Sequence, residues 1–221
     1  MEKVTFDNTT NKQFKLPFSN YFDKMGNNPT WKIKLLLLII LSYFATIIQN
    51  NITNQNEWFK YKGIDSNQLQ LNSDSNVWIQ GINGIFISLF QVFIVFLIFL
   101  LVSKIMKSSV KSKSLFSASI TYVLITMVFI MIINLIQLLF GLNYPMFQLD
   151  SLVIFQKGNL YLSAFSLRNL LSALLSFMVY YHTSKMTKKS SVIWALVALI
   201  SLTIIGLLGA WFAEISISFM S

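Results

Sequence analysis

Apolar runs alternate with short polar gaps along this 221-residue chain, and that pattern defines its elements before any chemistry is considered. Two runs, 82–103 and 115–140, are dominated by Ile, Leu, Val, Phe and Met. Each matches or exceeds the roughly 20 residues a helix needs to cross a hydrocarbon core of about 30 Å. Three more runs, at about 33–50, 165–183 and 192–213, are of comparable character, the first near the short end of the range. The pattern predicts an all-α polytopic membrane protein, a bundle of five transmembrane helices, with a lead-in over 1–32 and a tail over 214–221.

The gaps orient the bundle. Lys104, Lys107, Lys111 and Lys113 crowd the linker between the two longest runs with no acid among them, so the positive-inside rule puts this loop in the cytoplasm. The lead-in with the start of the first run, 1–34, holds six lysines against Glu2, Asp7 and Asp23, and the turn near 184–190 holds Lys185, Lys188 and Lys189. Both also read as cytoplasmic. The gap 51–80 is rich in Asn, Gln and Ser, with Lys60 and Lys62 balanced by Glu57, Asp65 and Asp74, and it reads as external, as does 141–159. Only one arrangement satisfies every gap: five spans, the N-terminus in and the C-terminus out.

Composition narrows the class. Apolar residues make up 55% of the chain and charged residues 11%, which is membrane composition rather than that of a soluble domain. The formal net charge of +9 sits in the gaps, where lysines act as topology signals and meet anionic headgroups, so nucleic acid is not expected as a partner. The absence of cysteine excludes disulfides and thiolate chemistry. No cleavable signal peptide is apparent ahead of the first run.

Within the lead-in, residues 19–26 read either as a short helix on the membrane surface or as a loosely ordered tail. Pro29 then breaks the chain, and Trp31, Lys32 and Lys34 are expected to anchor the first span among the headgroups. Polar residues inside the runs are few. Gly84, Ser88 and Gln91 share one helical face of the second run, and Asn134 and Gln137 lie near the outer end of the third. Such stripes read as helix–helix glue or, more sharply, as the wall of a polar path. Arg168 sits within about a turn of the outer boundary of the fourth run, with Glu214 as its expected partner if it has one, and snorkelling is the simpler reading. Ala195, Ala198, Gly206, Gly209 and Ala213 make a small-residue face on the fifth run, complementary to the Asn169, Ser172, Ala173, Ser176 stripe of the fourth. His182, the single histidine, reads as an interfacial polar residue. There is no Gly-rich phosphate loop, metal-ligand spacing, intramembrane carboxylate pair or nucleophile elbow, so neither catalysis nor a cofactor is expected.

The order of features resembles the Yip (Ypt-interacting protein) family of small five-span proteins, especially its bacterial members. The resemblance rests on Asn28-Pro29-Thr30-Trp31 before the first span, the polar external gap, Ser114-Leu115-Phe116-Ser117-Ala118-Ser119-Ile120-Thr121-Tyr122 entering the third span and the Ser/Thr/Lys turn 183–191. It departs from the bacterial pattern at Arg168-Asn169, where relatives tend to carry an acid. The resemblance implies a non-enzymatic accessory protein of the cytoplasmic membrane that assists an ABC exporter (ATPase, permease, adaptor), including exporters that protect against antimicrobial peptides. Pro29, Trp31 and the four linker lysines would then meet the partner, and a homo-oligomer is also compatible. The rival expectation is a small permease or lipid-handling subunit whose wall is Gln91, Asn134, Gln137 and Arg168.

Overall fold

The computed structural model describes residues 18–63 and 76–219; the remaining stretches of the lead-in, of the first external gap and of the tail lie outside the described residues. Helices α1 (Ser19–Asn27), α2 (Lys32–Ile52), α3 (Gln55–Tyr61), α4 (Val77–Ile105), α5 (Ser112–Leu139), α6 (Leu160–Ser163), α7 (Leu167–Met178) and α8 (Lys188–Ser218) follow one another, with a 3-10 turn at Leu152–Phe155 and a π-helical turn at Val179–Thr183. Among the described residues there is no strand, and α2, α4, α5 and α8 are long and apolar enough to cross a membrane. The fourth expected span is the exception. Its run is divided into 12 residues of α7 and the 5 of the π turn.

The long helices overrun their apolar windows. At 1.5 Å per residue, the 29 residues of α4 and 31 of α8 extend about 43 and 46 Å, well past the hydrocarbon. The extra turns come from residues that hydropathy discounts, such as Thr187, whose side chain caps α8 by accepting from the Ser190 N–H. Most of the exterior of α4 and α8 is exposed Phe, Ile, Leu and Val, an apolar surface that belongs in hydrocarbon and not in water.

Close packing is concentrated where α2, α4 and α5 meet. A Cβ at Gly81 would lie 2.1 Å from the Tyr43 ring, and one at Gly84 only 1.9 Å from Thr46 Oγ1, so hydrogen is the only side chain that lets α2 and α4 approach this closely. Helix α8 is peripheral and leans on α6 and α7. There Ala195 and Ala210 are buried, and Gly206 lies against Ala164, where an added Cβ would be 3.0 Å from its Cα. Gly209, expected on the same face, meets open space.

The described part of the lead-in, from residue 18 on, is part of the bundle. Helix α1 drives Phe22 and Met25 fully inside, against the π turn and the start of α5. Its backbone and the linker after it are tied down by side chains from other elements: Thr183 Oγ1 donates to the Phe22 carbonyl (3.1 Å) and Ser114 Oγ to that of Gly26 (3.2 Å) within α1, and Ser117 Oγ to that of Thr30 (2.9 Å) beyond it. Docking of α1 also corrects the reading of Lys34 as a headgroup anchor. Its side chain is buried, with Nζ 3.2 Å from Ser117 Oγ and 4.7 Å above the Tyr21 ring. Trp31 makes an edge contact with Phe116 at 5.8 Å.

Candidate functional site: a polar chamber under the 141–166 loop

At the end of the bundle opposite α1, the segment 141–166 folds over the tips of α2 and α5. Backbone bonds fasten both its ends. Tyr144 donates to the Ile52 carbonyl (2.8 Å) and accepts from the Asn54 N–H (2.9 Å), while Asp150 accepts from the Leu167 N–H (2.6 Å) and Leu152 donates to the Phe165 carbonyl (3.2 Å). Beneath it lies a chamber of about 430 Å³, lined by Gln49 and Thr53 of α2, Asn134 and Gln137 of α5, Tyr144, Gln148 and Asp150 of the loop, and Arg168 of α7. The fold assembles eight polar side chains from four separate stretches into one space.

Some of these groups are already satisfied. Asn134 Nδ2 donates to Gln49 Oε1 (2.7 Å), Gln49 Nε2 reaches Thr53 Oγ1 (3.4 Å), and Gln137 Nε2 donates to the Phe147 carbonyl (3.0 Å). Burial pushes the Tyr144 hydroxyl above its ordinary value, so it stays protonated at neutral pH. Asp150 is different. Its side chain is 5% exposed, and Arg168 Nε stands 3.5 Å from Oδ2 without forming a hydrogen bond, which leaves that oxygen with no donor among the described residues.

This replaces the expected Arg168–Glu214 pairing: Arg168 faces Asp150, and Glu214 instead accepts from Lys62 Nζ at 2.8 Å. Of the four residues proposed as a polar wall, Asn134, Gln137 and Arg168 come together here. Gln91 does not. It lines a neighbouring groove of about 340 Å³ between α2, α4 and α5, which meets the chamber at Gln49 and Asn134. On the far side, Asp150 also borders an apolar groove of about 450 Å³ running between the loop, α7 and α8 past Phe165, Leu170 and Leu199.

The sequence reading missed Asp150, Gln49, Thr53, Tyr144 and Gln148. One signal was present for Asp150: it is the one acid in the stretch 149–155, whose other residues are apolar except Ser151. At the basic end, Pro29 and Trp31 are half-buried where the lead-in meets the bundle, whereas Lys104, Lys107, Lys111 and Lys113 are all exposed. Ser103 Oγ and Ser184 Oγ lie 3.1 Å apart and Ser108 Oγ donates to the Ser184 carbonyl (2.6 Å), so the 106–111 linker and the 184–187 turn form one continuous face. His182 Nδ1 lies 2.9 Å from Asp23 Oδ2, and Lys185 Nζ lies 2.7 Å from Oδ1. Among the described residues no cluster of metal-ligating side chains occurs.

The class these observations define is an all-helical chain with four helices able to cross a membrane and a polar chamber roofed by one inter-helix loop. No family model matches the chain, and no curated protein or solved structure does either.

Proposed function

We propose that the chain is a five-crossing protein of the cytoplasmic membrane, with the α1 end inside and the chamber outside, that acts without enzymatic chemistry as an accessory subunit of a larger membrane assembly. The fifth crossing is assigned to α7 and the π turn, which together reach about 25 Å and rely on local bilayer thinning or the flanking apolar loop for the remainder. The observation that carries the accessory reading is the joined basic face, on which Lys104, Lys107, Lys111, Lys113, Lys185 and Lys188 are exposed on a scaffold held rigid by serine bonds. Such a face suits an acidic cytoplasmic surface of a partner, and the family resemblance suggests an ABC exporter. Replacing Lys107, Lys111 and Lys113 together by Gln is expected to abolish co-purification with the exporter's ATPase and permease while the protein stays inserted. Undiminished co-purification would refute the accessory reading.

The chamber favours a second reading, a subunit that itself holds or passes a small polar or amphiphilic molecule. Helix–helix glue does not need a polar cavity with an undonated carboxylate at its edge.

A further inference from the structure

The chamber and the apolar groove meet at a single residue. Asp150 borders both, Arg168 and Gln148 stand on the polar side of it, and Leu152, Leu170 and Leu199 on the apolar side. A buried carboxylate oxygen without a donor calls for an N–H or O–H group from elsewhere. The Arg168 guanidinium, 44% exposed and 3.5 Å from that oxygen, keeps donors in excess and calls for an anion. A ligand that meets both demands carries an ammonium and an anionic group a few bonds apart. A ligand that also fills the neighbouring groove carries a hydrocarbon chain.

We propose that chamber and groove together hold one membrane amphiphile whose headgroup bears a primary ammonium beside a phosphate, the ammonium pairing with the Asp150 carboxylate, the phosphate accepting from Arg168, and an acyl chain lying along Phe165, Leu170 and Leu199. Ethanolamine phospholipids have this chemistry, and lysyl-phosphatidylglycerol shares the primary ammonium but carries it several bonds further from its phosphate. Phosphocholine does not, because its quaternary nitrogen has the charge but no N–H to donate. Combined volumes near 430 and 450 Å³ suit a headgroup and part of one chain. The inference rests on the second reading above and names its ligand class.

The test uses the full chain purified in detergent and titrated with phosphatidylethanolamine, lysyl-phosphatidylglycerol, phosphatidylcholine and chain-free glycerophosphoethanolamine, with bound lipid counted by native mass spectrometry. Either or both of the two primary-ammonium lipids are expected to be retained at least tenfold more strongly than phosphatidylcholine, and the chain-free headgroup weakly. Asp150→Asn, which costs the folded chain no hydrogen bond at Oδ2, is expected to erase the discrimination; Leu199→Trp, which fills the groove, is expected to weaken all diacyl lipids together. Should Asp150→Asn fail to fold, the ratio measured on the unaltered protein decides alone. Equal retention of ammonium and choline lipids would overturn the inference and leave a lipid-handling subunit standing. Binding of the chain-free compound as tightly as the lipid would overturn the amphiphile, and retention of no ligand at all would remove both.

Discussion

Each end of the bundle places a carboxylate opposite a cation from a distant part of the chain, and the two pairs are built differently. At the basic end, Asp23 is held by His182 at 2.9 Å and Lys185 at 2.7 Å, on a helix whose carbonyls are bound by Thr183 and Ser114. At the chamber end, Asp150 is more deeply buried, yet among the described residues its one paired cation stands 3.5 Å away and leaves Oδ2 without a donor. Full pairing at a half-exposed carboxylate is a clamp. Burial with a missing donor, beside a polar chamber, is the observation on which the proposed ligand site rests.

The clamp breaks most readily at its apolar centre. Phe22 is 0% exposed, and Phe22→Ala is expected to cost about 3–5 kcal/mol, releasing α1 and exposing the 28–31 linker to protease in permeabilised cells. An uncut linker in that variant would mean that α1 is held by its hydrogen bonds and not by its apolar face.

The charged part of the clamp has a smaller effect. Burial alone would raise the Asp23 carboxyl, but hydrogen bonds from Lys185 and His182, with their charges, outweigh it and hold the group below its ordinary value. A depressed folded value means that the stabilisation is complete above the unfolded value near 3.9 and is lost as pH falls through the folded one. Docking of α1, followed by hydrogen exchange over 19–27, is therefore expected to weaken as pH falls below about 4 insofar as it depends on the Asp23 carboxylate. Because Asp23 is 43% exposed, Asp23→Asn is expected to cost no more than about 1 kcal/mol, and Asp150→Asn in lipid-free detergent less still. A larger loss for Asp150→Asn than for Asp23→Asn would invert the comparison between the two ends.

The sequence made the long helices legible because hydropathy over 20 residues is a strong local signal. Expected runs at 33–50, 82–103 and 115–140 became Lys32–Ile52, Val77–Ile105 and Ser112–Leu139. It read α7 less well, since helix winding changes at Val179 within a continuous apolar run and hydropathy is blind to winding. Docking of α1 was out of reach for another reason. The Ser19, Phe22, Met25 stripe fits a membrane surface as well as a groove between helices, and only tertiary structure decides. The chamber was half legible. Asn134, Gln137 and Arg168 stood out as polar residues in apolar runs, whereas Gln148 and Asp150 lie in a loop, where polarity carries no signal. Arg168 was given Glu214 on the ground that both lie near one end, but Asp150 lies there too, and chain order cannot rank them.

The contrast between the two ends depends on their lying on opposite sides of one membrane with α7 between them. The chain contains no cysteine, so single cysteines at Ser112, Gln156, Thr187 and Ser216 can be labelled in intact cells with an impermeant maleimide. The account predicts reaction at 156 and 216 and none at 112 and 187 until the cells are permeabilised. Labelling of 156 and 187 from the same side would show that α7 does not cross, and would contradict the account.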